Sequence, residues 1–320
     1  MDEPGVVRSP SGSDGPVPAV FFLSDYGTAD EFVGVVHAVL HRMAPAVPVI
    51  DLSHQVPAFD VDAAAALLVR SGPYLGPGVV LAVVDPGVGT GRRGVALEVA
   101  PGGPTWLVGP DNGLLMPLAA TLGGVRTAVV LDPSRTGVRP PARTFDGRDV
   151  FAPAAAYLAT GGPAAALGAP VDVNSLVAGS AGPTDDRPAG RSGSTASEVV
   201  ATVRWIDGFG NTQLDVFPEA LTDIGLVPGA TARISLDPIP PGEGPDEPIS
   251  TLNSGDRGRR VLTGRWVEAF GQLGPGEIGL LQDADGRVAL VLDRASAALA
   301  LRLAGPGAVV VIQSDGGGHR

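Results

Sequence analysis

The 320-residue chain contains neither cysteine nor lysine. Without cysteine there is no disulfide, no thiolate metal site and no cysteine nucleophile. Without lysine, all 22 basic residues are arginine, set against 34 acidic ones, for a net charge of −12. Nucleic-acid binding needs a basic footprint, so no nucleic-acid partner is expected. Anionic membrane surfaces attract basic segments, so a membrane partner is not expected either. No apolar run approaches the roughly 20 residues that span a bilayer. The start, MDEPGVVRSPSGSDGPVP, lacks the basic n-region and apolar stretch of a secretion signal. A cytoplasmic location is the expectation. Aromatic residues are scarce at 5%, so each one near an acid or a turn is worth placing.

What is present is alanine and valine. Hydrophobic residues make up 44% and mean hydropathy is +0.23, enough for a sizeable core. From residue 18 the pattern alternates between strand and helix signals. VPAVFFLSD, VPVIDLS and GVVLAVVDPG read as strands, and so do GVALEVA, TWLVGPD and VRTAVVLD. Between them, TADEFVGVVHAVLHRM has helical spacing with Thr28 or Asp30 as cap, and FDVDAAAALLVRSG is stopped by Gly72 and Pro73. NGLLMPLAATLGG and DVFAPAAAYLATGG read as further helices. Alternation of this kind predicts an α/β domain with a mostly parallel sheet.

Near residue 180 the register changes. A Gly/Pro-rich polar stretch is followed by EVVATVRWID, TARISL, RRVLTGRWV, EIGLLQD, RVALVLD and AVVVIQS, with DADG as a hairpin turn. SAALALRL is a short helix at most. These predict a small all-β antiparallel barrel. The expected division is a disordered tail at 1–17, an α/β domain at 18–180 and a linker at 181–196. A barrel at 197–313 and a tail at 314–320 complete it. A long insertion is expected at 237–258.

The segment VVDPGVGTGRRG, at 83–94, poses the main functional question. Gly89, Gly91 and Gly94 match G-x-G-x-x-G, yet a dinucleotide fingerprint must open a helix, and GVALEVA reads as a strand. A plain turn explains the glycines but leaves Asp85, Arg92 and Arg93 unexplained. An acid at the carboxyl end of a parallel strand stands where open α/β sheets place ligand chemistry. SDYGTAD puts Asp25 in the same kind of position, where carboxylates grip ribose hydroxyls. GPDNGLL offers Asp111 or Asn112 as a cap. TFDGRD brings two acids and an arginine to a helix start. His37 and His41 share i,i+4 spacing but lack a third ligand, so no metal site is expected. No G-x-S-x-G elbow occurs.

Taken in order, FLSDYGTADEFVG, VIDLSHQVPAFDV, VVDPGVGTGRRGVALEV, GPDNGLL, TFDGRDVFAPAAAYLA, IDGFGNTQ and LVLDRASAA resemble the S-adenosyl-L-methionine (SAM) hydroxide adenosyltransferases. These SAM hydrolases are relatives of the SAM-dependent fluorinase and chlorinase. The resemblance implies an α/β domain followed by a small barrel, assembled as a homotrimer with SAM between subunits. It implies attack of water on ribose C5′ of SAM, giving adenosine and L-methionine, with no cofactor. It assigns the catalytic pair to Asp85 and Arg92, with Asp146 where the hydrolases usually carry His. It places Asp25 on the ribose and Asp30 and Asp207 near the methionine end. Phe209 and Asn211 fall near adenine, Phe270 matches the aromatic of the family's F-A-D segment, Phe59 lines the pocket, and Asn112 joins the substrate-contacting set. The halogenases carry Tyr and Thr where this chain has Asp85 and Val88, and a desolvated halide disfavours a neighbouring carboxylate. The rival readings are a chlorinase-like enzyme and a non-catalytic SAM or adenosine binder.

Overall fold

Six consecutive buried residues, AVFFLS, make β1 (Ala19–Ser24) an interior strand of the first sheet in the computed structural model. The structure describes residues 18–100, 102–135, 144–179, 197–237, 253–254, 260–303 and 305–314. The tail expected at 1–17, the linker at 181–196, most of the 237–258 insertion and residues 315–320 lie outside the described residues. The chain divides into two compact units, Met1–Thr184 and Asp185–Arg320.

In the first unit, α1 (Phe32–Met43) leads to β2 (Val49–Ser53), and α2 (Val61–Ser71) leads to β3 (Gly78–Val83). Then come β4 (Gly94–Val99), β5 (Trp106–Pro110), α3 (Met116–Thr121) and β6 (Val125–Leu131). A π turn at Gly147–Phe151 opens α4 (Ala152–Ala159), and β7 (Gly168–Pro170) closes the unit. The strand order is β2-β1-β3-β5-β4-β6-β7. Strands β2, β1, β3 and β5 pair in parallel, while β4 and β7 run against their neighbours. Strands β1 and β3 are buried on both faces and therefore read as unbroken apolar runs, whereas β2, at the edge, is partly exposed. Alternate residues go to opposite cores: Phe21 and Leu23 face the α2 and α3 side, Val20 and Phe22 the α1 and α4 side.

The Asp60 carboxylate accepts the Ala63 N–H at 2.9 Å and caps α2. Helix α1 departs from expectation. Its N-cap is Glu31 and no side chain caps it. The Thr28 hydroxyl instead accepts a hydrogen bond from Gln55 at 3.3 Å, and Asp30 stands exposed.

The second unit contains β8 (Glu198–Ile206), β9 (Thr212–Leu214), α5 (Pro218–Asp223), β10 (Thr231–Leu236) and β11 (Asn253–Ser254). It continues with β12 (Arg260–Val267), β13 (Ile278–Gln282), β14 (Val288–Val291), α6 (Ala297–Ala300) and β15 (Val309–Ser314). The order is β10-β15-β8-β9-β14-β13-β12-β11, and a further β10–β12 pairing closes a seven-strand barrel around one apolar core. All pairs are antiparallel except β12–β13. Ten residues, 268–277, separate those two strands, room for the crossover that parallel pairing requires. The DADG turn joins β13 to β14 as the sequence predicts, with the Gly286 N–H on Asp283 O at 3.0 Å. Among the described residues no helix is long and apolar enough to cross a membrane.

Leu81 is fully buried on β3, an interior strand flanked by β1 and β5. Leu81→Ala should lower the unfolding free energy by about 2–5 kcal/mol, the usual span for a buried leucine. Urea titration followed by far-ultraviolet circular dichroism measures it, and a loss below about 1 kcal/mol contradicts this packing account.

Candidate active site

Strands β1 and β3 are neighbours, with Ser24 opposite Val83. From β1 the chain turns through α1 to β2 on one side. From β2 it returns through α2, on the opposite face, to β3. The strand order therefore reverses between β1 and β3, and the crevice at the carboxyl ends of two such strands is where open sheets bind ligands. Asp25 and Tyr26 leave the end of β1 there, and Asp85 leaves the end of β3. Together with Phe32, Phe59, Val88, Phe145 and Asp146 they line a cleft of about 270 Å³.

The glycine-rich segment is a run of turns. The Val88 N–H bonds Asp85 O at 3.3 Å and the Thr90 N–H bonds Gly87 O at 3.2 Å. Gly89 has φ 78°, a conformation that costs a side-chain-bearing residue about 1–2 kcal/mol. At Gly94 the chain enters β4, not a helix. That removes the dinucleotide reading, because no helix N-terminus meets a pyrophosphate.

The turns bring Arg92 back onto Asp85. Its Nε donates to Asp85 Oδ1 at 3.0 Å, and Nη2 donates to Oδ2. The same Nη2 donates to Asp146 Oδ2 at 2.8 Å. One guanidinium thus serves two carboxylates, bidentate on the first. The side chains of Arg92, Asp85 and Asp146 are 9%, 6% and 24% exposed. Phe151 lies under the guanidinium, 5.3 Å from ring centroid to Cζ. Burial pushes the Asp85 carboxyl above its ordinary 3.8, and Asp146 pushes the same way; Arg92 and the Gly87 N–H only partly offset them.

Aromatic rings form the opposite wall. Tyr26 and Phe32 each meet Phe145 edge to face, at 5.6 and 5.1 Å between centroids, and are tilted against each other at 5.7 Å. Burial, followed by the nearby Asp25, Asp85 and Asp146, raises the Tyr26 phenol, which keeps its proton. Gly147 makes room for it: a Cβ there would stand 2.1 Å from Tyr26 Oη. Phe59 is 70% exposed with φ 67°, and its N–H donates to Asp25 Oδ2 at 2.9 Å. A left-handed phenylalanine stores about 1–3 kcal/mol, which the Asp25 contact helps to hold.

Five sequence-predicted residues, Asp25, Phe59, Asp85, Arg92 and Asp146, therefore come together at this cleft. Asp30 lies on the bend before α1 and does not line it. Asn112 uses its amide internally: Nδ2 donates to Val84 O at 2.9 Å and Oδ1 accepts from the Leu114 N–H at 3.2 Å. It fixes the strand tip that carries Asp85. Arg93 pairs with Asp111 and reaches Ser175 O at 2.6 Å, a brace behind the turn. In the second unit, Asp207 closes its own turn by accepting the Phe209 and Asn211 N–H groups, both at 2.9 Å. Phe209 is 83% and Phe270 40% exposed. The sequence reading missed Tyr26, Phe32 and Phe145. The signal was there, since Tyr26 and Phe145 each adjoin a quoted acid.

Residues 20–168 match the SAM hydroxide adenosyltransferase N-terminal domain. The chain is 40% identical over 285 residues to the (R)-S-adenosyl-L-methionine hydrolase of Salinispora tropica, covering 88% of this chain and 93% of that one. It is 28% identical over 245 residues to a fluorinase of an Actinoplanes species, covering 69% and 79%. The crystal structure of an uncharacterized conserved protein from Thermotoga maritima shares the fold with a TM-score of 0.72 and 26% identity, over 92% of this chain and 99% of that one.

Removing Arg92 leaves two carboxylates facing each other with no cation between them. Arg92→Ala should destabilise the protein by about 3–5 kcal/mol at neutral pH. A carboxyl whose folded-state pKa is raised penalises the fold while ionised, and protonation relieves the penalty. The deficit should therefore shrink as pH falls through the raised Asp85 value. Paired urea titrations across acidic and neutral pH test this, and a deficit independent of pH contradicts it.

Proposed function

The chain belongs to the SAM hydroxide adenosyltransferase family, and from that premise we propose that its cleft hydrolyses S-adenosyl-L-methionine to adenosine and L-methionine. The observation that carries the reading is the Asp85 carboxylate, held at a strand tip by Arg92 and facing a cleft that also holds Asp25 and Asp146. Three acids and one guanidinium leave the cleft a net negative site, suited to a sulfonium cation.

The chemistry asks little of the leaving group. As water oxygen bonds to C5′, the C5′–S bond breaks and its electron pair neutralises the sulfonium, so no acid is needed. The protein must align water, C5′ and sulfur, and such positioning is worth about 7–11 kcal/mol of barrier. Asp85 accepts the proton that water loses, a contribution of about two to four powers of ten. Burial and the Asp146 charge strengthen it as a base, and Arg92 aims it. Asp146 serves as a second acceptor in place of the family's usual His. Asp25 is assigned to the ribose hydroxyls and Phe59 to the pocket wall.

The remaining assignments rest on the resemblance. Asp30 and Asp207 take the methionine end, Phe209 and Asn211 take the adenine, and Phe270 joins the substrate-binding set. A phenylalanine as exposed as Phe209 is not packed in its own unit's core. The cleft of about 270 Å³ is small against the roughly 300–1,000 Å³ of whole small-molecule pockets. Both facts support a site completed by a neighbouring subunit. The homotrimer and the absence of a cofactor are what the resemblance implies, and the cytoplasm is the proposed location. Sedimentation equilibrium checks the trimer.

Incubation with SAM should yield adenosine and methionine on chromatography, and H₂¹⁸O should place its label in the adenosine 5′-hydroxyl. Formation of 5′-chloro-5′-deoxyadenosine in high chloride, or tight SAM binding without turnover, overturns the reading. Asp85→Asn should lower kcat about 10²–10⁴-fold with SAM affinity nearly unchanged. The acid limb of kcat/KM should lie above the ordinary aspartate range, and Asp146→Asn should move it down by removing the neighbouring charge. A limb that stays put after that substitution counts against Asp85 as the base. Gly147→Ala displaces the Tyr26 hydroxyl and should cost about 10²-fold in kcat/KM, as ångström-scale misplacements do. An unchanged value separates Tyr26 from catalysis.

A further inference from the structure

A second cluster lies behind the cleft, on the α1 side of the sheet. His37 comes from α1, Asp51 from β2 and His54 from the loop after it. Asp51 Oδ1 is 2.8 Å from His37 Nε2 and 3.1 Å from His54 Nε2, and the three donor atoms lie within 4.8 Å of one another. The His54 side chain is only 6% exposed, and its Nε2 has no hydrogen-bond partner among the described residues. The 3.1 Å approach to Asp51 thus meets an ion-pair distance without the direction of a hydrogen bond. Buried polar atoms are rarely left in this state.

The other edge of the His54 ring explains what is missing. Nδ1 lies 2.8 Å from Ser24 Oγ, which also accepts the Tyr26 N–H at 3.3 Å. When Nδ1–H donates to Ser24, Nε2 presents a lone pair toward a carboxylate oxygen. Two lone pairs at that distance repel unless a cation stands between them. A ring tied at one nitrogen to a fixed acceptor, with the other nitrogen free, is the arrangement of a metal-bound histidine.

We propose that His37, Asp51 and His54 bind a divalent cation of the zinc class, with water completing its shell. Imidazole and carboxylate suit such ions, whose bonds of about 2.0–2.2 Å put tetrahedral ligand atoms about 3.3 Å apart. The two separations from Asp51, 2.8 and 3.1 Å, need only a few tenths of an ångström of adjustment. His37 and Asp51 are 35% and 42% exposed, so the ion has a path in and an open side for water. It lies outside the cleft and takes no part in the reaction. Its effect is to tie α1 to β2 and, through Ser24, to brace the turn that carries Asp25 and Tyr26. The Gly27 N–H, bonded to His54 O at 2.7 Å, completes that link.

The test uses chelator-stripped, full-length protein without a histidine tag. Calorimetric titration with Zn²⁺ should give one ion per chain, and Co²⁺ should give visible absorption bands that Zn²⁺ displaces. The same ions should raise Tm. His37→Ala should weaken binding at least about 100-fold, the upper figure for losing even an outer contact, and His41→Ala should leave it unchanged. Ser24→Ala keeps all three ligands and should weaken binding about 10–100-fold. If His37→Ala does not fold, the nearly isosteric Asp51→Asn replaces it. Native protein that binds neither ion up to millimolar concentration overturns the proposal. So does one-to-one binding that survives both His37→Ala and Asp51→Asn. Either result can be read whether or not the protein turns over SAM.

Discussion

Two carboxylates reach for one guanidinium at the carboxyl end of the first sheet, and most of the site's geometry follows from that shared charge. Asp85 and Asp146 arrive from segments 61 positions apart in the chain. Left alone they would repel, and burial would drive at least one to take a proton. Arg92 Nη2 stands between them, and Nε locks the first in a bidentate grip. Buried ion clusters of this kind add little net stability, because desolvation offsets the attraction. Their benefit is orientation. A carboxylate with both oxygens held cannot rotate away from the cleft, yet its raised pKa shows that burial still outweighs the cation.

The sheet topology decides where this charge cluster can sit. The reversal of strand order between β1 and β3 leaves a crevice that neither α1 nor α2 covers. Strand tips on that edge are rigid, since both strands are buried along their full length. The acids are therefore carried by the stiffest part of the fold. The aromatic wall and Phe59 come from turns and helix starts, which can adapt to a ligand.

The sequence made the central strands readable because parallel strands buried on two faces appear as unbroken apolar runs, as AVFFLS and GVVLAV do. The acids after them were readable for the same reason, each being the first charged residue after such a run. Short elements left no period to detect, so β7 and β9, three residues each, went unseen. The cap of α1 misled because Thr28 has a partner distant in the chain, Gln55, and local pattern carries no trace of it. Likewise β12 and β13 look like any hairpin pair until the excursion between them is seen to cross over. Tyr26 and Phe145 were hidden by neighbours with stronger chemical signals. The His37–Asp51–His54 group is the extreme case. The i,i+4 pairing of His37 with His41 suggested the wrong partner, and the true neighbours come from another strand and loop.

The aspartate at 146 brings these strands of argument together. A histidine there could meet Asp85 as a donor and would need no cation between them. An aspartate cannot, so this chain depends on Arg92 more heavily. The same replacement shifts the cleft toward negative charge and raises Asp85, which makes it a better proton acceptor. In the proposed reaction, the loss of the imidazole base that the resemblance implies at this position is thus offset by a neighbour's altered basicity. In the proposed reaction the arrangement also selects the nucleophile. Negative charge beside the reacting carbon repels a desolvated halide, while a neutral water molecule finds two acceptors for its protons. Val88 adds no hydroxyl that could hold an anion. Under the proposed function, selection for water over halide is thereby built from the side chains assigned as the base.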